Sequence, residues 1–111
     1  MRTEYQKLVR DNIPAIIQND GYVCDIETMG EEEYQQALRQ KLVEEACEVA
    51  TAGSHALIAE LADLYEVIDA LMKSNDIPAS AVRAEQEQRR HERGGFEQRI
   101  RLISTASPSD Q

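Results

Sequence analysis

EEEYQQALRQKLVEEACEVATAGSHALIAELADLYEVIDALMKS, residues 31–74, sets the architecture of the chain. At about 100° per residue, its second half places Leu57, Leu61, Leu64, Val67, Ile68 and Leu71 on one broad apolar arc. Ile58, Tyr65 and Met72 extend that arc, so this is a core-facing helix. The first half repeats the pattern with Tyr34, Leu38, Leu42, Val43, Ala46 and Val49. Gly53 breaks the run and Ser54 offers an N-cap for the second helix. The stretch therefore predicts two long helices, about 31–52 and 55–74, antiparallel across a short turn.

Four acids do not suit those arcs. Glu60 falls inside the second, between the directions of Val67 and Leu71, and Asp63 lies at its edge. Glu45 falls inside the first, near Leu38, and Glu48 lies at its edge. Each helix thus carries an acid in its core-facing arc and another three residues later, and residues so spaced share a face. A carboxylate held in apolar surroundings costs several kcal/mol unless it is paired or bound to metal. A hard dication resolves the conflict, since carboxylate oxygens are the ligands Mg²⁺ and Mn²⁺ prefer, and helical bundles host metals in this way. The bland alternative is a salt-bridged surface, with Lys41 reaching Glu45 one turn on. Glu66 and Asp69 fall on the polar side and need no explanation.

Beyond this hairpin, Asp11 is an expected cap for a short helix at 12–19, with Pro14 in its first turn and Gly21 ending it. Pro78 opens a further helix at 79–93, and Gly94-Gly95 close it. Residues 4–9 read as extended, 22–28 as a short strand, and 96–104 as a strand or ordered tail. Residues 105–111 have the composition of a disordered tail. The expectation is an all-α protein: a small helical bundle, one domain over residues 1–104, with short extended terminal segments.

The chain has 111 residues, a charge of −9 and 21 acidic against 12 basic side chains. That argues against a nucleic-acid polymer as partner, which needs a basic surface. A phosphorylated ligand remains compatible if dications lie between the two negative partners. No apolar run approaches the roughly 20 residues of a membrane span. No signal peptide is visible, because Arg2, Glu4, Lys7 and Arg10 interrupt the start. Cys24 and Cys47 form no metal-binding spacing and no disulfide framework, so a cytoplasmic location is expected. A chain this short buries a limited core, which predicts a homodimer or homotetramer.

Glu44-Glu45-Ala46-Cys47-Glu48 followed by Glu60-Leu61-Ala62-Asp63 resembles the EExxE…ExxD signature of the MazG-like all-α NTP pyrophosphatase superfamily. Residues 5–14, YQKLVRDNIP, and 93–97, RGGFE, resemble a small branch of it labelled phosphoribosyl-ATP pyrophosphohydrolase-like. The likeness covers residues 4–103. It implies Mg²⁺-dependent hydrolysis of a nucleoside triphosphate to the monophosphate and pyrophosphate, with Mn²⁺ as a substitute. House-cleaning of non-standard nucleotides is the role often given to that superfamily. Eleven residues separate Glu48 from Glu60, short for the superfamily. That spacing implies a tight hairpin at Gly53 with little room for substrate-recognition insertions.

The expected metal ligands are Glu45, Glu48, Glu60 and Asp63, with Glu44 and Glu45 as catalytic acids; Glu44 would hold a second metal or orient the attacking water. Lys7, Arg10, Arg89 and Arg93 are candidates for the substrate phosphates, joined by Arg90. Gly94 and Gly95 would let backbone amides approach a phosphate. Alternatively, Gly94 is only a helix cap and the arginines are solvated. No Ser/His/Asp or Cys/His arrangement supports a covalent route, and His55 and His91 read as surface residues. Of the rings able to stack on a base, Tyr34 and Tyr65 read as core. Two other functions fit the same residues: phosphoribosyl-ATP hydrolysis, and a non-catalytic helical module that binds metal or a partner.

Overall fold

The computed structural model describes residues 2–110. Among these the regular structure is helical: α1 (Ile13–Asn19), α2 (Glu31–Thr51), α3 (Leu57–Ser74) and α4 (Ala79–Arg93), then a 3₁₀ turn at Pro108–Asp110. No strand forms among the described residues. The chain divides into two compact units, Met1–Pro78 and Ala79–Gln111. Among the described residues, no helix is long and apolar enough to cross a membrane.

The first unit is built on α2 packed against α3. Its polarity is visible in the cross-links. Gln35, near the start of α2, donates from Nε2 to the Ser74 carbonyl at 3.0 Å. Its Oε1 accepts from Asn75 Nδ2, also at 3.0 Å. The beginning of one helix therefore meets the end of the other, and the pair is antiparallel. Leu38 and Val67, one from each apolar arc, are the buried hydrophobic residues of this interface.

The linking turn corrects one expectation. Ser54 does not cap α3, which has Ala56 at its N-cap position without a side-chain hydrogen bond. Residues 54–56 instead form a turn, closed by the Ala56 N–H donating to the Gly53 carbonyl at 3.0 Å. Asp11 likewise does not cap α1, whose N-cap is Asn12, again without a side-chain bond. α2 starts from extended Gly30 and carries Glu31, Glu32 and Glu33 in its first turn. Negative charge there suits the partial positive charge of a helix N-terminus.

Both α1 and α3 end in a reversed pair of hydrogen bonds around a residue with positive φ. After α1 that residue is Gly21, at φ 91. The Gly21 and Tyr22 amides donate to Gln18 and Ile17. After α3 it is Asp76, at φ 55, and the Asp76 and Ile77 amides donate to Lys73 and Met72. These are Schellman closures, which satisfy last-turn carbonyls and normally favour glycine.

The strand expected at 22–28 does not form. An extended segment without a neighbouring strand leaves its backbone groups to water and gains little. Tyr22, Val23 and Ile26 are 70%, 84% and 73% exposed, while Cys24 turns inward and its Sγ lies 3.8 Å from the Pro14 carbonyl oxygen. Residues 96–104 are likewise irregular and not a strand. In the expected tail, Ser107 and Ser109 hydroxyls hydrogen-bond at 2.8 Å beside the 3₁₀ turn; Gln111 lies outside the described residues.

Candidate metal centre

Glu45 of α2 and Glu60 and Asp63 of α3 converge. One carboxylate oxygen from each lies within 4.8 Å of the others, and all three residues are half-buried. The antiparallel pairing explains this. Ten residues from the Gln35–Ser74 cross-link toward the turn, Glu45 of α2 comes opposite Leu64 of α3, beside Asp63 and one turn from Glu60. The i, i+3 spacing then aims Glu60 and Asp63 the same way. Two oxygens on opposite sides of a Mg²⁺ ion lie about 4.2 Å apart, twice the usual ligand distance. The trio is near enough for its oxygens to share one dication, and its donor chemistry fits a hard ion.

Glu48 is exposed and falls outside that mutual trio. Its charge is still felt there. Partial desolvation holds the Glu60 carboxyl above its ordinary pKa, and the negative charges of Glu48, Asp63 and Glu45 push it further up. All four acids picked out by the helical arcs thus bear on one place, three as neighbours and one as a nearby charge. Glu44 is exposed and takes an ion pair from Lys41 at 3.3 Å. The alternative in which Lys41 pairs with Glu45 is therefore not the arrangement formed, because Lys41 goes to Glu44 instead. Glu66 and Asp69 are exposed.

The cations expected to hold phosphate fall in both units. In the first, Lys7 and Arg10 are exposed. Arg10 Nη2 donates to Asp63 Oδ1 at 2.6 Å, across 53 positions of sequence. The five ion pairs among the described residues do not include Lys7. In the second unit, Arg89 pairs with Glu85 at 3.2 Å, one turn earlier on α4. Arg93 is exposed in the helix's last turn. Arg90 donates to Glu97 at 2.5 Å, a bond that draws the Glu97 carboxyl below its ordinary pKa. Gly94 has φ 83, and its amide closes the helix on the Arg90 carbonyl at 2.8 Å. Gly95 leaves room for the arginine, since a Cβ there would come within 2.7 Å of Arg90 Nη1.

Sequence reasoning missed the Arg10–Asp63 pair altogether. Arg10 lies in an irregular segment without periodicity, so nothing in the sequence gives its direction. The rings are more open than the arcs suggested: Tyr34 is half-buried, but Tyr65 is 58% exposed and Phe96 97%. His55 and His91 are exposed.

The chain matches no protein-family model, no curated protein and no solved structure. The MazG-like resemblance therefore rests on the residues quoted for it.

Proposed function

We propose that the protein is a Mg²⁺-dependent nucleotide pyrophosphohydrolase that cleaves a nucleoside triphosphate, including non-standard ones, to the monophosphate and pyrophosphate. The observation that carries this reading is the convergence of Glu45, Glu60 and Asp63 from two antiparallel helices, with Glu48 charged nearby. Glu45, Glu48, Glu60 and Asp63 would hold the ion, Mn²⁺ serving as a substitute. A bound dication neutralises phosphate charge and lowers the pKa of water, the two needs of phosphoanhydride hydrolysis. In this chain exposed Glu44 would hold a second metal or orient the attacking water beside Glu45. Lys7 and Arg10 are the first unit's groups for the phosphates; Arg89 and Arg93, with the amides of Gly94 and Gly95, are phosphate candidates within the second unit by itself. We place the enzyme in the cytoplasm as a homodimer or homotetramer.

The test is pyrophosphate release from a panel of standard and modified nucleoside triphosphates, with Mg²⁺ and with a chelator in its place. Mg²⁺-dependent release supports the reading. Absence of release from every member, in a protein that still binds Mn²⁺, would leave the helical metal-binding module. That second reading draws on the same cluster and on the ion pairs that already occupy Arg10, Arg89 and Arg90.

A further inference from the structure

Asp63 is both a member of the acidic trio and the acceptor of Arg10. The arginine comes from the segment before α1, where its carbonyl accepts the Ile13 amide at 3.0 Å. That bond fixes the backbone and leaves the long side chain to reach α3. One Nη2–Oδ1 bond holds its head, and the two side chains are 56% and 45% exposed. The guanidinium is therefore a single-point, solvent-facing counter-ion on a carboxylate that faces two others. A dication on the same carboxylate would lie about 2.1 Å from its oxygen, and two cations so close repel. With more than half of its side chain exposed, Arg10 can leave Asp63 at little cost in packing.

We infer that Arg10 is a built-in placeholder for the cation: it neutralises Asp63 in the metal-free protein and is displaced when a dication binds, which frees its guanidinium for a phosphate. This rests on the metal reading of the cluster. It deepens that reading by giving Arg10 two successive partners and by ordering the events, metal before phosphate. A guanidinium suits both partners, since its planar fork matches carboxylate and phosphate oxygens alike.

The rival role makes the opposite prediction. Were Arg10 an outer support that orients Asp63 for the metal, its loss would weaken metal binding about 10- to 100-fold. The experiment is calorimetric titration of Mn²⁺ into the full-length wild type and into Arg10→Gln, Arg10→Lys and Lys7→Gln, at low salt. Lys7→Gln removes the same charge from the same segment without breaking an ion pair, and so measures the general effect of charge. Arg10→Gln should bind Mn²⁺ roughly two- to fivefold more tightly than Lys7→Gln, the range set by the strength of an exposed ion pair. Arg10→Lys should fall between, and the differences should shrink as salt screens the pair. Affinity in Arg10→Gln equal to or below that of Lys7→Gln overturns the inference while leaving the metal site standing. No saturable Mn²⁺ binding in any of the four proteins overturns the metal reading and this inference together.

Discussion

Glu60 concentrates the chemistry of the site: half-buried, held above its ordinary pKa by desolvation, and pressed by three further carboxylates. A raised carboxyl pKa favours the protonated form in the folded state. Its stabilising contribution is fully present below the ordinary value of 4.5 and is lost as pH rises through the folded value. The metal-free melting temperature should therefore carry a component that falls with rising pH just above that value. Glu60→Gln should remove it, as thermal melts across the acid range would read. With Mg²⁺ or Mn²⁺ present the wild type should melt higher by mass action. Glu45→Gln, Glu60→Gln and Asp63→Asn should each lose that gain, and activity with it by roughly 100-fold or more; Glu48→Gln should follow them. Glu66→Gln and Asp69→Asn should change stability by less than about 0.5 kcal/mol. Equal sensitivity at Glu66 and Glu60 would mean that the site is drawn on the wrong face of α3. These acids were legible in the sequence because a helix has a fixed phase, so an acid among leucines stands out without any structure. Arg10 on Asp63 was not, since an irregular segment has no phase to read.

At the scale of elements, helix length was legible and helix capping was not. Pro14, Gly21, Gly53, Pro78 and Gly94 punctuate the chain, and each helix lies within a residue or two of where they put it. They act through local φ constraints and missing donors, which any sequence displays. Ser54 and Asp11 failed as caps because capping depends on where a turn closes, and the Gly53–Ala56 bond moves the start of α3 beyond Ser54. The end of α3 offers a test of the same physics. Asp76 occupies at φ 55 the position where Gly21 closes α1. An L-residue in the left-handed region costs roughly 1–2 kcal/mol, and glycine returns part of that as unfolded-chain entropy. Asp76→Gly should stabilise the protein by about 0.5–1 kcal/mol in urea unfolding, with an unchanged slope. A loss of stability would show that the Asp76 carboxylate makes a compensating interaction.

At the scale of the whole molecule, the first unit buries little of the apolar surface its sequence provides. Leu38 and Val67 are buried, yet Ile58, Leu61 and Tyr65 are 84%, 38% and 58% exposed. Spaced at i, i+3 and i+7, these three form one stripe along α3, and Leu57 lies beside them at 38%. Across the hairpin, Val43 of α2 is 63% exposed. The arcs read from the sequence are thus wider than the interface that α2 and α3 make with each other. A helix carries such a stripe when another helix covers it, and a chain of this length lacks core to spare. A second copy, presenting the same stripe about a twofold axis, would bury it self-complementarily. The protein should then scatter light at twice or four times the chain mass at micromolar concentration. Ile58→Glu and Tyr65→Glu would place charge at either end of the stripe, on its two most exposed residues, and should drive the protein toward monomer. Because the cluster of Glu45, Glu60 and Asp63 is assembled within one hairpin, the separated variants should keep Mn²⁺ binding if they stay helical by circular dichroism. A wild type that is monomeric throughout that concentration range would rule out the self-association predicted from this face.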